Sequence, residues 1–395
     1  IKPSLDGFIR LNNMLNKVFN LKNTIDIFVT ETESPNKVLL TFHKMTTRTR
    51  IELIVGKSVA EFLALLDGLK TVKSILKELG NFNETEALSL ITFLQEQHLI
   101  VDNCESNEVS PRFSRQIAYF DDMILDRSGS DTQTKLASKK IVILGCGSVG
   151  AAIAETLVRA GISKLSLVDY KIITESCMDR HLFTRLDHIG LSKVEVLADY
   201  LRSIDTSVKI KTYQEHLLPK TDLSKWIQND TDLIINSCDE PYIGHIALKI
   251  GRYAQTKNIP LYIAGGFDAH LMSSGELVYP PHTPCIDCAQ QTFTKALGNW
   301  KPTYSDTARL ENILETQETI QIPSDISASY QIGGAGGLVM MSCFSAHLSC
   351  LKILQFLAED SAYDYKSIRY EYLLNDGELT SFEMRKQEYC HVCTS

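Results

Sequence analysis

Four cysteines stand in two Cys-x-x-Cys pairs, and this spacing is typical of a metal site. Cys285 and Cys288 form the first pair, and Cys390 and Cys393 form the second, about 100 residues further along the chain. Four thiolates give a closed tetrahedral zinc site without an open coordination position, so the ion would be structural. Two independent redox pairs are the alternative, and no other feature of the sequence supports them. We predict that these four cysteines bind Zn²⁺.

A glycine-rich turn is the second feature that could carry chemistry. The apolar run 141–144 leads into Gly145, Gly147 and Gly150, and a helical pattern follows. Glycines at these places permit a tight turn, close approach of backbone to a phosphate, and packing of helix on strand. The unpaired N–H groups of the helix N-terminus suit an anion, and Asp169, which ends the next apolar run, suits ribose hydroxyls. The pattern predicts an adenine-nucleotide site without identifying the reaction.

The elements after the turn would bring these residues together. The pattern after Asp169 alternates between helix (193–204, 242–256) and strand (208–213, 233–238, 261–264). Such alternation predicts an α/β fold with a Rossmann-like, mostly parallel sheet and helices on both faces. Ligands of these sheets bind beyond the carboxyl ends of the strands. The glycine turn, Asp169 and Asp239 should therefore lie on one rim of the sheet.

The first hundred residues have a different pattern, which predicts a small α+β module. Its predicted elements are an amphipathic helix within 1–24, strands over 25–30, 37–43 and 47–55, helices over 59–66, 71–80 and 83–98, and a closing strand at 99–101. Strands followed by three helices and a wing strand suggest a winged-helix domain, for which a packing or dimerisation role is the plain alternative. A polar linker follows. We predict two domains, residues 1–103 and 104–395, with a strand pair over 367–381 near the end.

Composition excludes several classes of function. The chain has 395 residues, 44% of them hydrophobic and 22% charged, with a formal net charge of −8. An acidic total without a basic face argues against nucleic acid as a partner. We see no apolar run of about 18 residues and no signal peptide, which predicts a cytoplasmic protein without membrane partners.

The segment after Asp169 points to one class of nucleotide chemistry. It reads VDYKIITESCMDRHLFTRLDHIGLSK, and with its surroundings (112–393) it resembles the ThiF/MoeB superfamily of adenylating enzymes. The resemblance implies that Arg180 and Lys193 bind the phosphates of ATP and that Asp239 carries Mg²⁺. It also implies a homodimer in which Arg115 reaches the partner's phosphates. These charges suit attack of a carboxylate on the α-phosphorus, which brings two anions together.

The chain departs from this family pattern at three places. Cys177 replaces an asparagine, His181 replaces a glutamine, and Lys171 replaces a second acid. Losing the asparagine removes one amide from the phosphate region. Residues 297–325, where ubiquitin-activating members carry a thioester cysteine, contain none. The adenylate should then be consumed directly, and we predict no role for His181 or the other histidines.

The N-terminal module is similar to PqqD-like peptide-clamp domains. In that family a leader peptide adds as an extra strand, here beside 47–55 and against the helix 85–97, and backbone hydrogen bonds give affinity. Its fusion to an adenylating domain resembles the enzymes that mature microcin-type and pantocin-type peptides. The implied function is ATP-dependent activation of a carboxylate, a glutamate side chain by preference, on a ribosomal precursor peptide, followed by cyclisation.

Three alternatives stay open from the sequence. A C-terminal carboxyl could be activated instead, with a P–N bond to AMP as in microcin C. The domain could be a non-catalytic scaffold that binds leader peptides. It could also activate a sulfur carrier or ubiquitin-like protein, although the missing thioester cysteine and the extra N-terminal module argue against this.

Overall fold

The chain forms two compact units, which we describe separately: Ile1–Gln133 and Thr134–Ser395. The computed structural model describes residues 14–22, 24–45, 47–80, 83–102, 111–124, 127–238, 243–264, 267–268, 271–296, 337–359 and 366–393. The division between the units falls inside one helix, Gly129–Ser138. The predicted domain boundary after residue 103 stays a prediction.

The N-terminal unit contains a three-stranded antiparallel sheet that matches the predicted strands. Its strands are β2 (Ile25–Glu31), β3 (Lys37–Lys44) and β4 (Thr49–Gly56), with β3 in the middle. Alternate side chains of β3, Val38, Leu40 and Phe42, are at most 4% exposed and form the core face. This period of two is the signature of a strand with one buried face.

A second antiparallel sheet corrects the sequence analysis. It has the order β5–β1–β6, from β1 (Val18–Leu21), β5 (Asp67–Thr71) and β6 (Ile100–Asp102). The amphipathic helix predicted within 1–24 is therefore wrong for residues 18–21. β1 is a strand because it pairs on both sides with segments about 50 and 80 residues away, and local periodicity carries no information on such pairing.

Three helices of this unit lie within two residues of the predicted ranges at each end: α1 (Lys57–Ala64), α2 (Val72–Leu79) and α3 (Glu84–Glu96). They are followed by α4 (Ser114–Met123) and by α5 (Gly129–Ser138), the helix that the division between the units crosses. The Thr71 hydroxyl accepts from the Ser74 N–H, and the Asn83 side chain accepts from the Thr85 N–H. These caps satisfy backbone donors that have no partner within the helix. The winged-helix assignment of this unit stays a prediction.

The C-terminal unit is built on a six-stranded, mostly parallel sheet, as predicted. Its order is β14–β11–β10–β7–β8–β9, and only the edge strand β14 runs antiparallel. The strands are β7 (Lys140–Leu144), β8 (Lys164–Val168), β9 (Lys209–Tyr213), β10 (Leu233–Asn236), β11 (Leu261–Ile263) and β14 (Glu276–Val278). The helices α6 (Ser148–Arg159), α7 (Lys193–Ile204) and α8 (Ile243–Lys257) follow β7, β8 and β10.

A second sheet and two helices complete this unit. The antiparallel order is β12–β13–β15–β16, from β12 (Phe267–Asp268), β13 (Leu271–Ser273), β15 (Ile368–Leu373) and β16 (Glu378–Glu383). The predicted strand pair over 367–381 is thus present. The helix α9 (Ile286–Ala296) follows β14, and α10 (Val339–Ala358) precedes β15.

Among the described residues, α10 is the one helix long and apolar enough to cross a membrane. Its Ser349 hydroxyl donates to the Ser274 carbonyl at 2.7 Å, and its Ser345 hydroxyl accepts from the Ser273 N–H at 3.2 Å. These side chains are buried within the unit. These contacts pack part of α10 within the unit, while its side chains Met340, Phe344 and Leu351 are exposed.

Candidate nucleotide site and cysteine cluster

The three glycines of the turn meet different constraints. Gly145 has φ +89°, and a Cβ there would lie 2.8 Å from the Cys238 backbone nitrogen. A Cβ on Gly150 would lie 2.0 Å from the Gly145 carbonyl oxygen and 2.4 Å from the Ser237 hydroxyl oxygen. These two glycines permit the ends of β7 and β10 and the start of α6 to approach closely. Gly147 caps α6, and no atom lies within 4 Å of its Cβ position, so the fold itself leaves this place open.

Asp169 lies beside the turn, as the order of the strands predicts. One carboxylate oxygen accepts from the Cys146 N–H at 2.8 Å, and the other accepts from the Lys171 N–H at 2.9 Å. The half-buried carboxylate therefore holds the glycine turn to the segment that follows β8. Each carboxylate oxygen has further acceptor capacity, and its contact with a ribose stays a prediction.

Backbone pairing sets Lys193 at the same end of the sheet. The Lys193 N–H donates to the Lys171 carbonyl at 3.1 Å, and Ile172 bridges to Ser192. Lys193 is 7% exposed, and its ammonium makes no ion pair with a described residue. Its charge lowers the pKa of His181 and also acts on the Cys146 thiol of the turn. Arg180 donates from Nε to the Ser176 carbonyl at 3.1 Å, with about half of its side chain exposed.

His181 lies among these cations although no role was predicted for it. Burial, followed by the charges of Lys193, Arg180 and Lys171, lowers its pKa from 6.5 to about 3. The imidazole is therefore neutral at physiological pH. Its ring stacks on Phe183 at 5.8 Å. The sequence signal that could have identified it is its place directly after Arg180, in the segment that resembles the adenylating family.

Three further residues of the sequence analysis are Asp239, Arg115 and Cys177. Asp239, predicted to carry Mg²⁺, lies outside the described residues. Arg115 is exposed on α4 of the N-terminal unit, and it makes no ion pair with the described residues. Cys177, which replaces the family's asparagine, is 3% exposed and accepts from the Thr174 N–H at 3.4 Å. The Cys177 thiol therefore makes its hydrogen bond within its own turn.

The site fits the phosphates of a nucleotide. Two buried polar atoms here, His181 Nδ1 and Ser192 Oγ, have no hydrogen-bond partner among the described residues. Buried polar atoms are normally paired, and an unpaired one costs about 1–3 kcal/mol. Together with the open Cβ position of Gly147 and the nearby cations, they mark a place suited to an anion at the N-terminus of a helix.

The four predicted cysteines form one cluster. All four Sγ atoms lie within 4.8 Å of one another. The Cys285 and Cys390 sulfurs are 3.5 Å apart, and the Cys288 and Cys393 sulfurs are 3.6 Å apart. A tetrahedral zinc ion with bonds of about 2.3 Å places its sulfurs about 3.8 Å apart. Both of these short distances join sulfurs of different Cys-x-x-Cys pairs, which speaks against two separate redox pairs, and the cluster can hold a metal ion.

Comparison with known proteins shows the family to which the chain belongs. The model of the ThiF family matches residues 113–392, and the chain belongs to this family. It is 27% identical over 244 residues to the adenylyltransferase and sulfurtransferase uba4 of Aspergillus fumigatus. It is 30% identical over 138 residues to the adenylyltransferase and sulfurtransferase MOCS3 of Xenopus laevis.

These matches cover only part of each protein. They span 58% and 35% of this chain, and 43% and 29% of the two relatives. The chain thus spans less than half the length of the curated relatives it matches.

Solved structures resemble the chain over nearly its whole length. A structure of E. coli MccB with ATP has a TM-score of 0.66 at 19% identity and covers 95% of this chain and 99% of MccB. A structure of PaaA has a TM-score of 0.64 at 18% identity and covers 93% of this chain and all of PaaA. At this identity the likeness shows a shared fold, and its extent includes the N-terminal unit.

A pair of glycine substitutions separates folding from ligand binding. Gly150→Ala should lower the free energy of unfolding by about 2 kcal/mol, because the new methyl group overlaps the Gly145 carbonyl. Gly147→Ala should leave stability unchanged but weaken ATP binding at least about tenfold, because its methyl group points where a phosphate would lie. Denaturant unfolding and calorimetric titration with ATP measure the two effects. Equal ATP affinity in Gly147→Ala and wild type would contradict the site.

Removal of one cysteine tests the metal cluster. We expect about one zinc ion per chain in the purified protein, and Cys390→Ser should lose it and lower the free energy of unfolding by about 3 kcal/mol or more. Elemental analysis and thermal unfolding measure both changes. Cys343→Ser is the matched control, because Cys343 is a half-buried free thiol outside the cluster. Wild-type protein that binds no zinc and is insensitive to chelators would overturn the assignment.

Proposed function

We propose that this protein uses ATP and Mg²⁺ to adenylate a carboxylate of a ribosomally made precursor peptide. The carboxylate oxygen attacks the α-phosphorus, and pyrophosphate leaves. An amide or amine nitrogen of the same peptide then attacks the acyl carbon, AMP leaves, and the nitrogen gives up a proton. A glutamate side chain is the preferred carboxylate, and a ring with loss of one water is the product.

The observation that carries this proposal is the cationic cluster at the carboxyl end of the parallel sheet. Lys193 is buried without an ion pair among the described residues, and Lys171 and Arg180 act on the same buried imidazole. Such a cluster compensates the charge of a triphosphate and of the leaving pyrophosphate. In the proposal Asp239 holds Mg²⁺ beside these phosphates, and the four cysteines hold a structural Zn²⁺.

The N-terminal unit supports a peptide as the substrate. The whole-chain neighbours include E. coli MccB with ATP and MccB with the precursor peptide MccA. In this chain β4 pairs only with β3 among the described residues, so its second edge is free. A free edge can bind an extended peptide by main-chain hydrogen bonds. We propose that the unit is a winged-helix clamp in which a leader peptide pairs with β4.

The proposal also includes a homodimer. Arg115 is exposed and has no ion pair with the described residues. We propose that it crosses to a second copy of the chain and binds its phosphates.

Mass spectrometry of a peptide substrate tests the reaction. The probe is the synthetic peptide encoded by a short reading frame beside the gene, incubated with the protein, ATP and Mg²⁺. Loss of one water supports cyclisation, whereas addition of AMP supports the alternative in which a C-terminal carboxyl is activated and a P–N bond forms. An unchanged peptide without pyrophosphate release would contradict enzymatic activity and leave a leader-binding scaffold.

The matched control for this reaction is Asp239→Ala. We expect the substitution to abolish nucleotide turnover, because a carboxylate that holds Mg²⁺ is removed, and to leave peptide affinity unchanged. Pyrophosphate release and fluorescence anisotropy of a labelled peptide measure the two. Turnover equal to that of the wild type would show that the metal assignment is wrong.

Backbone geometry gives a sharp test of the peptide edge. The Lys57 N–H donates to the Asn36 carbonyl on the β3 side, and the register of β4 against β3 is unbroken. Donors of a strand alternate between its two sides, so the N–H of Glu52 points to the free edge. Glu52→Pro should remove this donor, lower peptide affinity at least about tenfold and leave the ladder to β3 intact.

Glu52→Ala is the control for this substitution, because it removes the side chain but keeps the N–H. We expect it to bind the labelled peptide like the wild type. Unimpaired binding by a folded Glu52→Pro protein would show that the peptide binds elsewhere.

A further inference from the structure

His181 is a buried titratable group near the nucleotide site, and neither the sequence nor the proposed reaction gives it a role. Its side chain is 6% exposed, and its Nδ1 has no hydrogen-bond partner among the described residues. A buried imidazole nitrogen without a partner is unfavourable unless a ligand supplies one.

The backbone of His181 is held by two hydrogen bonds, and its ring has an aromatic neighbour. The backbone N–H of His181 donates to the Cys177 carbonyl at 2.8 Å, and its backbone carbonyl accepts from the Thr184 hydroxyl at 2.7 Å. The ring lies nearly parallel to that of Phe183, with an angle of 6° between the planes. The ring is therefore oriented by its neighbours before any ligand binds, as positioned binding groups are.

The same segment packs near the first turns of α6. Leu182 and Phe183, which follow His181 in the chain, line a small cavity together with Ser148, Ala151 and Glu155 of that helix. The segment of His181 therefore lies close to the N-terminal half of α6. Lys171, Arg180 and Lys193 are the described charged groups that act on the imidazole, and Arg180 also lies 3.8 Å from the Asp179 carboxylate.

We propose that His181 is a member of the phosphate-binding set of this protein, a neutral imidazole that hydrogen-bonds the polyphosphate of ATP. This inference rests on the proposed function, because it assumes that the cationic cluster binds ATP. The polyphosphate brings negative charge to this group of cations and the oxygen acceptors that an imidazole N–H needs.

The ionisation state of His181 fits this role. Burial and the three cations hold its pKa near 3, so the imidazole carries one N–H donor and no charge at neutral pH. A neutral donor adds a directional bond without adding to the repulsion among Lys171, Arg180 and Lys193. It can therefore distinguish a correctly placed phosphate oxygen from other anions.

Two substitutions and three probes test the proposal. His181→Phe keeps an aromatic ring to stack on Phe183 but has no donor, whereas His181→Gln restores a side-chain N–H. We expect His181→Phe to weaken binding of ATP and of inorganic triphosphate about tenfold or more, with AMP affinity unchanged, and His181→Gln to recover most of the loss. Calorimetric titration measures the affinities, and thermal unfolding confirms that both variants are folded.

A structural role and a ligand role give different results in this experiment. If His181 only supports the fold, ATP and AMP affinities fall together, or neither changes, and the proposal is overturned. Spectra of ¹⁵N-histidine protein give a second readout that does not need a stable His181→Phe. Inorganic triphosphate should shift one imidazole signal that is absent from His181→Gln, and a shift confined to signals that the variant retains would also overturn it.

The result of the His181 binding experiment is independent of the result of the mass-spectrometry test of the peptide reaction. A wild-type protein that binds ATP but modifies no peptide would contradict the proposed function and leave the test of His181 intact. A modified peptide with His181→Phe binding ATP like wild type would contradict only this inference.

Discussion

Positive charge held partly out of water at the carboxyl end of the parallel sheet is the constraint on which the site depends. Lys193 is buried at the first turn of α7, and its charge reaches both the glycine turn and His181. Charge in such a place is costly unless a counter-charge arrives. Backbone contacts hold the segments that carry the cations in place, since the Lys171 carbonyl accepts from the Lys193 N–H and the Asp169 carboxylate accepts from the Lys171 N–H. In the proposed function, the counter-charge is the polyphosphate of ATP.

Much of this arrangement could be predicted from spacing. Gly145, Gly150 and Asp169 were identified from the strand–turn–helix pattern, because a positive φ and a close helix–strand approach leave few alternatives to glycine. The cysteine cluster followed from its spacing and from zinc chemistry. In each case a short motif contains the residues that impose the structural constraint, so the prediction needs no knowledge of distant contacts.

Other parts could not be predicted, for a shared physical reason. β1 was taken for a helix because its pairing with β5 and β6 joins distant segments that local periodicity does not reveal. The second role of Asp169, which holds the Cys146 N–H of the turn, depends on where β8 ends beside β7. The environment of His181 arises only when Lys171, Arg180 and Lys193 fold together. The chain joins this site to a unit in which the second edge of β4 pairs with no described strand, and the proposed function assigns the nucleotide to one unit and the peptide to the other.

Peptide-dependent exchange of labelled pyrophosphate into ATP tests the central claim most directly, because it reports the first chemical step alone. The protein is incubated with ATP, Mg²⁺, labelled pyrophosphate and the synthetic peptide encoded beside the gene. Our account predicts that label enters ATP only when the peptide is present, since a peptide carboxylate must attack the α-phosphorus reversibly. Absence of exchange from a protein that binds both ATP and the peptide would contradict it.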